Sequence, residues 1–228
     1  MWVDFVHPVR AVIPGVQGRV LAVLAETTAE LNLRTVAQLA DVSTAQASRV
    51  MPVLVELGLV ERREVPPSLL FRLNRENAAA QVVVSLASLH DTVLARIGEA
   101  AAQMPLPPVC VIVFGSFARR SADRDSDIDV VMVRPDEVDS DDEIWAAGVA
   151  QWRRDAKLIS GNTVEVIEIG LASAIENLTS GGPLWTEIAR DGLVVHGAPL
   201  PTFGGGRMLV DIADKDALWD VLDADGLR

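Results

Sequence analysis

Asp127 and Asp129 stand two residues apart where the chain re-enters an apolar run, Ile128-Asp-Val-Val-Met-Val133. Residues two apart in a strand face the same way. Two carboxylates side by side repel each other unless a cation lies between them. Upstream, the apolar run Val109 to Phe114 breaks at Gly115-Ser116. A turn of this kind, opening a helix, offers free backbone N–H groups and a hydroxyl to a phosphate. A carboxylate pair beside a phosphate-binding turn suits metal-dependent phosphoryl or nucleotidyl transfer. The plainer readings are a solvated pair of strand-edge aspartates and a serine that caps a helix.

The spacing of these residues resembles the signature of the DNA polymerase β-like nucleotidyltransferase superfamily, and within it the minimal bacterial branch. Gly115, Ser116, Ala118, Arg119, Ser126, Asp127, Ile128 and Asp129 fall at the matching offsets. Where the family has Gly after the Arg, this chain has Arg120. The resemblance spans roughly residues 104–197 and ends on Ile188-Ala-Arg-Asp-Gly-Leu-Val-Val-His-Gly197, similar to the closing helix, turn and strand of such domains. It implies Mg²⁺ or Mn²⁺ as cofactor and a nucleoside triphosphate as substrate. Asp127 and Asp129 are then metal ligands and catalytic residues, and Gly115, Ser116, Arg119 and Ser126 bind the nucleotide. The third carboxylate falls on Glu165, in the β-branched run Thr163-Val-Glu-Val-Ile-Glu-Ile169. That run reads as a buried strand, with Glu168 facing away from Glu165. The family carries Asp where this chain has the longer Glu165.

These groups need a scaffold, and the pattern implies an α/β fold of the α+β kind. A winged helix-turn-helix covers 1–77, a linker helix 78–104, a nucleotidyltransferase domain with a mixed sheet and flanking helices 105–200, and an acidic tail 201–228. In the first segment a helix is expected over Arg19 to Leu31, then a short helix Val36 to Ala40. Ser43 is a plausible N-cap for a longer helix, Thr44 to Leu57, and Gly58 ends it. Two strands around Pro66-Pro67 form the wing. This order resembles MarR-like winged-helix regulators. The linker helix, with Val83, Leu86, Leu89, Val93, Leu94 and Ile97 apolar, joins the domains or pairs with its copy in a homodimer. The tail, after Gly204-Gly-Gly206, reads as either a docking helix or a partly disordered segment.

If the winged helix binds double-stranded DNA, its contacts are Thr44, Gln46 and Arg49 on the recognition helix, with Arg62, Arg63, Arg72 and Arg75 around the wing. That basic set is thin. Residues 1–77 hold eight Lys/Arg and eight Asp/Glu, a balance of zero, whereas 78–228 hold twelve and twenty-four, a balance of −12. The acidic half repels nucleic acid unless metals or local arginines intervene. Dimerisation or protein docking is the other use of such a module. Cys110 sits in an apolar run and reads as a small buried hydrophobe. His7, His90 and His196 lack metal-ligand spacing, and the five Trp read as packing residues. No apolar run is long enough to span a bilayer and no signal-peptide pattern is present, so a cytoplasmic location is expected.

The leading expectation is an enzyme that moves NMP to a macromolecular acceptor, a protein in particular, because 105–200 leaves little chain for a small-molecule pocket. A toxin–antitoxin component fits that picture. The alternative is a nucleotide-sensing, DNA-binding regulator whose transferase fold is weak or inactive.

Overall fold

The computed structural model describes residues 6–122 and 126–200, and the backbone of 207–208. The chain divides into two compact units between His90 and Asp91.

The first unit starts with two helices, α1 (Pro8–Val12) and α2 (Gly15–Ala25). The expected helix therefore begins earlier and stops sooner. Past Ala25 the Thr27 hydroxyl accepts the Ala29 N–H at 3.0 Å, a local turn that competes with helix. Strand β1 (Leu31–Asn32) follows. The Asn32 side chain then caps α3 (Leu33–Leu39) by accepting the Thr35 N–H at 2.9 Å. Ser43 caps α4 (Thr44–Glu56) in a reciprocal box: its hydroxyl accepts the Gln46 N–H at 3.1 Å, and the Gln46 amide oxygen accepts the Ser43 N–H at 2.9 Å. Gly58, with φ +71°, closes the helix. Strands β2 (Val60–Val65) and β3 (Ser68–Leu73) form the wing, paired from Val60↔Leu73 to Val65↔Ser68, and β1 joins β3. Val20, Leu24, Val36, Met51, Leu54, Phe71 and Leu73 build the core. This is the expected winged helix-turn-helix arrangement.

The expected continuous linker helix is two helices, α5 (Ala78–Ala87) and α6 (Leu89–Ala102). Ser88 lies at the break, where its hydroxyl donates back to the Val84 carbonyl at 2.9 Å. Each piece serves its own unit. Ala80 and Val83 of α5 join the first core, and α6 buries Val93, Leu94, Ile97 and Ala101.

The second unit is a five-stranded mixed sheet. Its strands are β4 (Cys110–Phe114), β5 (Ile128–Arg134), β6 (Val164–Gly170), β7 (Leu193–Gly197) and β8 (Arg207–Met208), in the order β6-β5-β4-β7-β8. Between them lie α7 (Gly115–Ala118), α8 (Glu143–Ser160), α9 (Leu171–Ser180) and α10 (Pro183–Asp191). Alternate side chains face opposite sides of a sheet. On one side Cys110, Ile112, Val131 and Val133 pack with Ala174 of α9 and Ile188 of α10. On the other lie Val111, Val113, Val130 and Met132, all fully buried. There the Trp145 indole of α8 donates to Glu168 at 2.7 Å, and Trp152 donates to the Ile97 carbonyl at 3.1 Å. Asp142 caps α8, and Gly161, with φ +80°, ends it. Burial pushes the Cys110 thiol up to about 12, as befits a small hydrophobe. Strand β6 corrects an expectation: it is the edge of the sheet, and Glu165, Ile167 and Glu168 are exposed.

Apart from the backbone at 207–208, the acidic tail over 201–228 lies outside the described residues. Among those residues no single helix is long and apolar enough to cross a membrane.

Gly98 of α6 tests the second core. An added Cβ would sit 1.8 Å from the Val195 carbonyl oxygen. Alanine in a helix gains about 1 kcal/mol over glycine, but forcing backbone apart here costs about 3 kcal/mol. Gly98→Ala therefore lowers stability by about 2 kcal/mol, read as a drop in the urea midpoint.

Candidate active site

The site starts where β4 ends. Phe114 is extended, and Gly115 turns to φ +71° to open α7 directly. Among the described residues no side chain caps this turn. A Cβ on Gly115 would stand 2.4 Å from the Asp129 Oδ2. Glycine is thus required twice, for the left-handed backbone and for the carboxylate lying against it.

Register builds the rest. Phe114 pairs with Asp129 across the antiparallel β4–β5 ladder, and Asp129 pairs with Glu165 across the parallel β5–β6 ladder. Paired residues share a face, so Glu165 and Asp129 stand side by side. Asp127 is two residues earlier, just before β5, and exposed. The buried Asn162 holds the approach: its amide donates to the Ser126 carbonyl at 2.8 Å, and the Ile128 N–H donates to Thr163 at 2.8 Å. The Ser116 carbonyl accepts the Ser121 N–H at 2.9 Å, which tightens the turn.

Electrostatics focus on Asp129. Burial raises its carboxyl above the ordinary range, the charges of Asp127, Glu187 and Glu165 raise it further, and Arg119 opposes them. Glu187, on α10, was not legible as a site residue, because only tertiary packing brings that helix to the carboxylates. Arg119 donates to Glu187 and reaches Asp191 at 3.5 Å, and these two carboxylates hold its guanidinium charged. Glu165 lies 3.7 Å from Arg153 of α8, another residue that the motif did not signal. Arg120 takes φ +55°, the region glycine favours, and pairs with Asp91 of α6.

Among the described residues no three His, Cys, Asp or Glu side chains form a ready metal cage. The donors still fit Mg²⁺. They are hard carboxylate oxygens, and Mg²⁺ is held by one or two carboxylates with substrate phosphates and water completing its shell. Asp127 and Asp129 could supply those two, with Glu165 adjacent.

The DNA-binding candidates are placed differently. Thr44 and Arg49 are exposed on α4. The Gln46 side chain is engaged in the capping box. Arg62 pairs with Glu64, Arg63 with Glu30, and Arg72 with Glu61 at 2.6 Å. Arg75 donates to the Ala25 carbonyl at 2.8 Å. Arg49 alone of these arginines has no hydrogen-bond or ion-pair partner among the described residues.

Comparison with known proteins accords with this geometry. Residues 94–178 match the nucleotidyltransferase domain family, and residues 18–64 match the IclR helix-turn-helix domain. The chain therefore carries a nucleotidyltransferase domain behind an N-terminal winged helix-turn-helix domain, with IclR in place of the expected MarR as the matching type. No curated protein matches it. One solved structure, described as a toxin–antitoxin with AMP-PNP, is similar at 14% identity over 59% of this chain and 90% of that one. Its TM-score of 0.32 is too low to bear on function.

Three substitutions probe the turn. Gly115→Ala adds a left-handed alanine and a clash with Asp129, and costs about 2–3 kcal/mol in thermal or urea unfolding. Arg120→Gly relieves the backbone but loses an exposed ion pair, so stability stays within about 1 kcal/mol of the parent. Arg120→Val, β-branched at positive φ, falls by about 2 kcal/mol on the same measurement.

Proposed function

We propose that the second unit transfers a nucleoside monophosphate from a nucleoside triphosphate to a hydroxyl on a protein acceptor. The observation that carries this reading is the Asp129 carboxylate lying against Gly115 and sharing a sheet face with Glu165, with Asp127 two residues earlier. A divalent cation held by Asp127 and Asp129 would neutralise charge on the phosphate oxygens. The uncapped Gly115-Ser116 turn receives the phosphates, with Arg119 and Ser126 as further contacts. Glu165 is exposed and projects from the sheet edge, where a large acceptor has access. It takes the proton as the acceptor oxygen attacks the α-phosphorus. The bond from that phosphorus to the bridging oxygen breaks, and pyrophosphate leaves with the electron pair. The exposed position of Glu165 supports a macromolecular acceptor and, as part of the same reading, a toxin–antitoxin role.

One observation favours a second reading. Glu165 stands where the family carries Asp, on an edge strand and beside Arg153. An exposed side chain engaged by a neighbouring arginine is poorly held for taking a proton from one acceptor oxygen. On that reading the transferase fold senses a nucleotide and the winged helix regulates transcription. The helix-turn-helix implies DNA binding in either case, through the exposed face of α4 with Arg49.

Transfer of label from each α-labelled nucleoside triphosphate, with Mg²⁺, into a host lysate tests the first reading. A labelled protein is expected, and Asp127→Asn/Asp129→Asn lowers its yield by about a thousandfold, equivalent to several kcal/mol of charge stabilisation. Nucleotide binding without any labelled product would move the assignment to the second reading.

DNA affinity has its own signature. With the wing arginines already paired, few cations remain to displace counterions. The slope of log K against log salt should stay below about 3 in magnitude, and Arg49→Ala should reduce it further in a fluorescence anisotropy titration.

A further inference from the structure

Arg119 closes α7, one turn beyond Gly115. Its guanidinium does not lie free for a phosphate. It donates to Glu187 and stands 3.5 Å from Asp191, so it ties the phosphate turn to α10. The two acceptors differ. Asp191 is also held by Arg190, through hydrogen bonds of 2.9 and 2.7 Å, whereas Arg119 is the only ion-pair partner of Glu187 among the described residues. When Arg119 turns away, Asp191 keeps its hydrogen bonds to Arg190, whereas Glu187 keeps only the more distant charge of Arg190. Glu187 is also close enough to Asp129 to help push that carboxyl up. Helix α10 begins beyond residue 178, where the nucleotidyltransferase family match ends.

A nucleoside triphosphate over the Gly115-Ser116 turn presents several phosphate oxygens to the same guanidinium. Arginine makes paired hydrogen bonds to phosphate as well as to carboxylate, so the two compete for one fork of donors. We infer that Glu187 is a positioning residue of this site, holding Arg119 against α10 until an arriving nucleoside triphosphate displaces it. The inference rests on the nucleotide reading proposed above. Nucleotide affinity is then set in part by the ion pair that must be given up, and binding loosens α10 from the turn.

The sign of the effect separates this role from a structural one. Damage to the site weakens nucleotide binding, whereas release of Arg119 strengthens it. The full chain, with Mg²⁺, is titrated calorimetrically with each of the four nucleoside triphosphates. Glu187→Gln should bind the preferred one roughly fivefold more tightly than the parent. Arg119→Ala should bind it more weakly. Adding Glu187→Gln to Arg119→Ala should give no gain, because nothing is left to release. Asp191→Asn, which Arg190 buffers, should tighten binding less than Glu187→Gln does, and it serves as the test if Glu187→Gln does not fold. Equal gains in the presence and absence of Arg119 would mean simple relief of charge repulsion and would overturn the inference. So would parent-like or weaker binding by a folded Glu187→Gln. Binding by the parent with no gain in the variant sinks this inference alone. No binding by either sinks the nucleotide reading with it.

Discussion

The architecture of the second unit depends on one close approach, the Asp129 carboxylate against the α-carbon of Gly115. A Cβ there would lie 2.4 Å from the carboxylate oxygen, so any other residue would force that carboxylate out of its place as well as straining the left-handed turn. The approach holds because β4 and β5 pair with Phe114 opposite Asp129, and because the chain turns left-handed at once after β4. Everything else at the site follows from that register. Glu165 comes beside Asp129 through the parallel ladder, and Arg119 comes within reach of α10 because α7 starts without an intervening loop. The same packing half-buries Asp129 among other carboxylates, which raises its carboxyl and creates the demand for a positive charge.

The sequence makes some of this legible because the information is local. The Gly-Ser turn, the i, i+2 aspartates and the Ser43 cap each rest on residues within a few positions of one another. The structure keeps the reciprocal bond between Ser43 and Gln46 and the αL glycine at 58. What was hidden depends on tertiary contacts. A β-branched run such as Val164–Gly170 has the same composition at a sheet's edge as at its centre, and only strand order separates the two. The apolar spacing across 78–104 is nearly continuous, yet α5 and α6 bury their faces in different units, and Ser88 supplies the break. Glu187 and Arg153 reach the site from distant segments, and no spacing in the chain points to them.

The arginines show how far composition misleads about electrostatics. Around the wing, Arg62, Arg63 and Arg72 suggest a basic surface when counted, but each is matched to a carboxylate, Arg62 on its own strand and the other two on a neighbouring strand or loop. The Arg63–Glu30 pair holds the carboxylate below its ordinary range and the guanidinium above it, so both stay charged and mutually satisfied. A paired arginine reaches a DNA phosphate only by giving up its partner. On the proposed DNA-binding reading, a winged helix built this way gains little affinity from the nucleic-acid backbone, and its discrimination falls to the exposed face of α4.

The second unit faces the complementary difficulty. Its half of the chain carries a balance of −12, and the substrate proposed for it is a polyanion. Screening at physiological ionic strength confines repulsion to about 8 Å, so distant acidic residues matter less than the groups bordering the turn. Those are Asp127, Asp129, Glu165 and Glu187 on the negative side, with Arg119 and Arg153 opposing them. Both arginines are engaged by carboxylates of the same cluster. Without nucleotide, the site thus neutralises part of its own charge internally, and this lets four acidic groups be gathered near one turn. The same pairing means that a phosphate gains a guanidinium only where a carboxylate loses one. Net affinity is then a difference between two arginine–oxyanion interactions of similar kind, and small changes in the placement of α10 shift the balance.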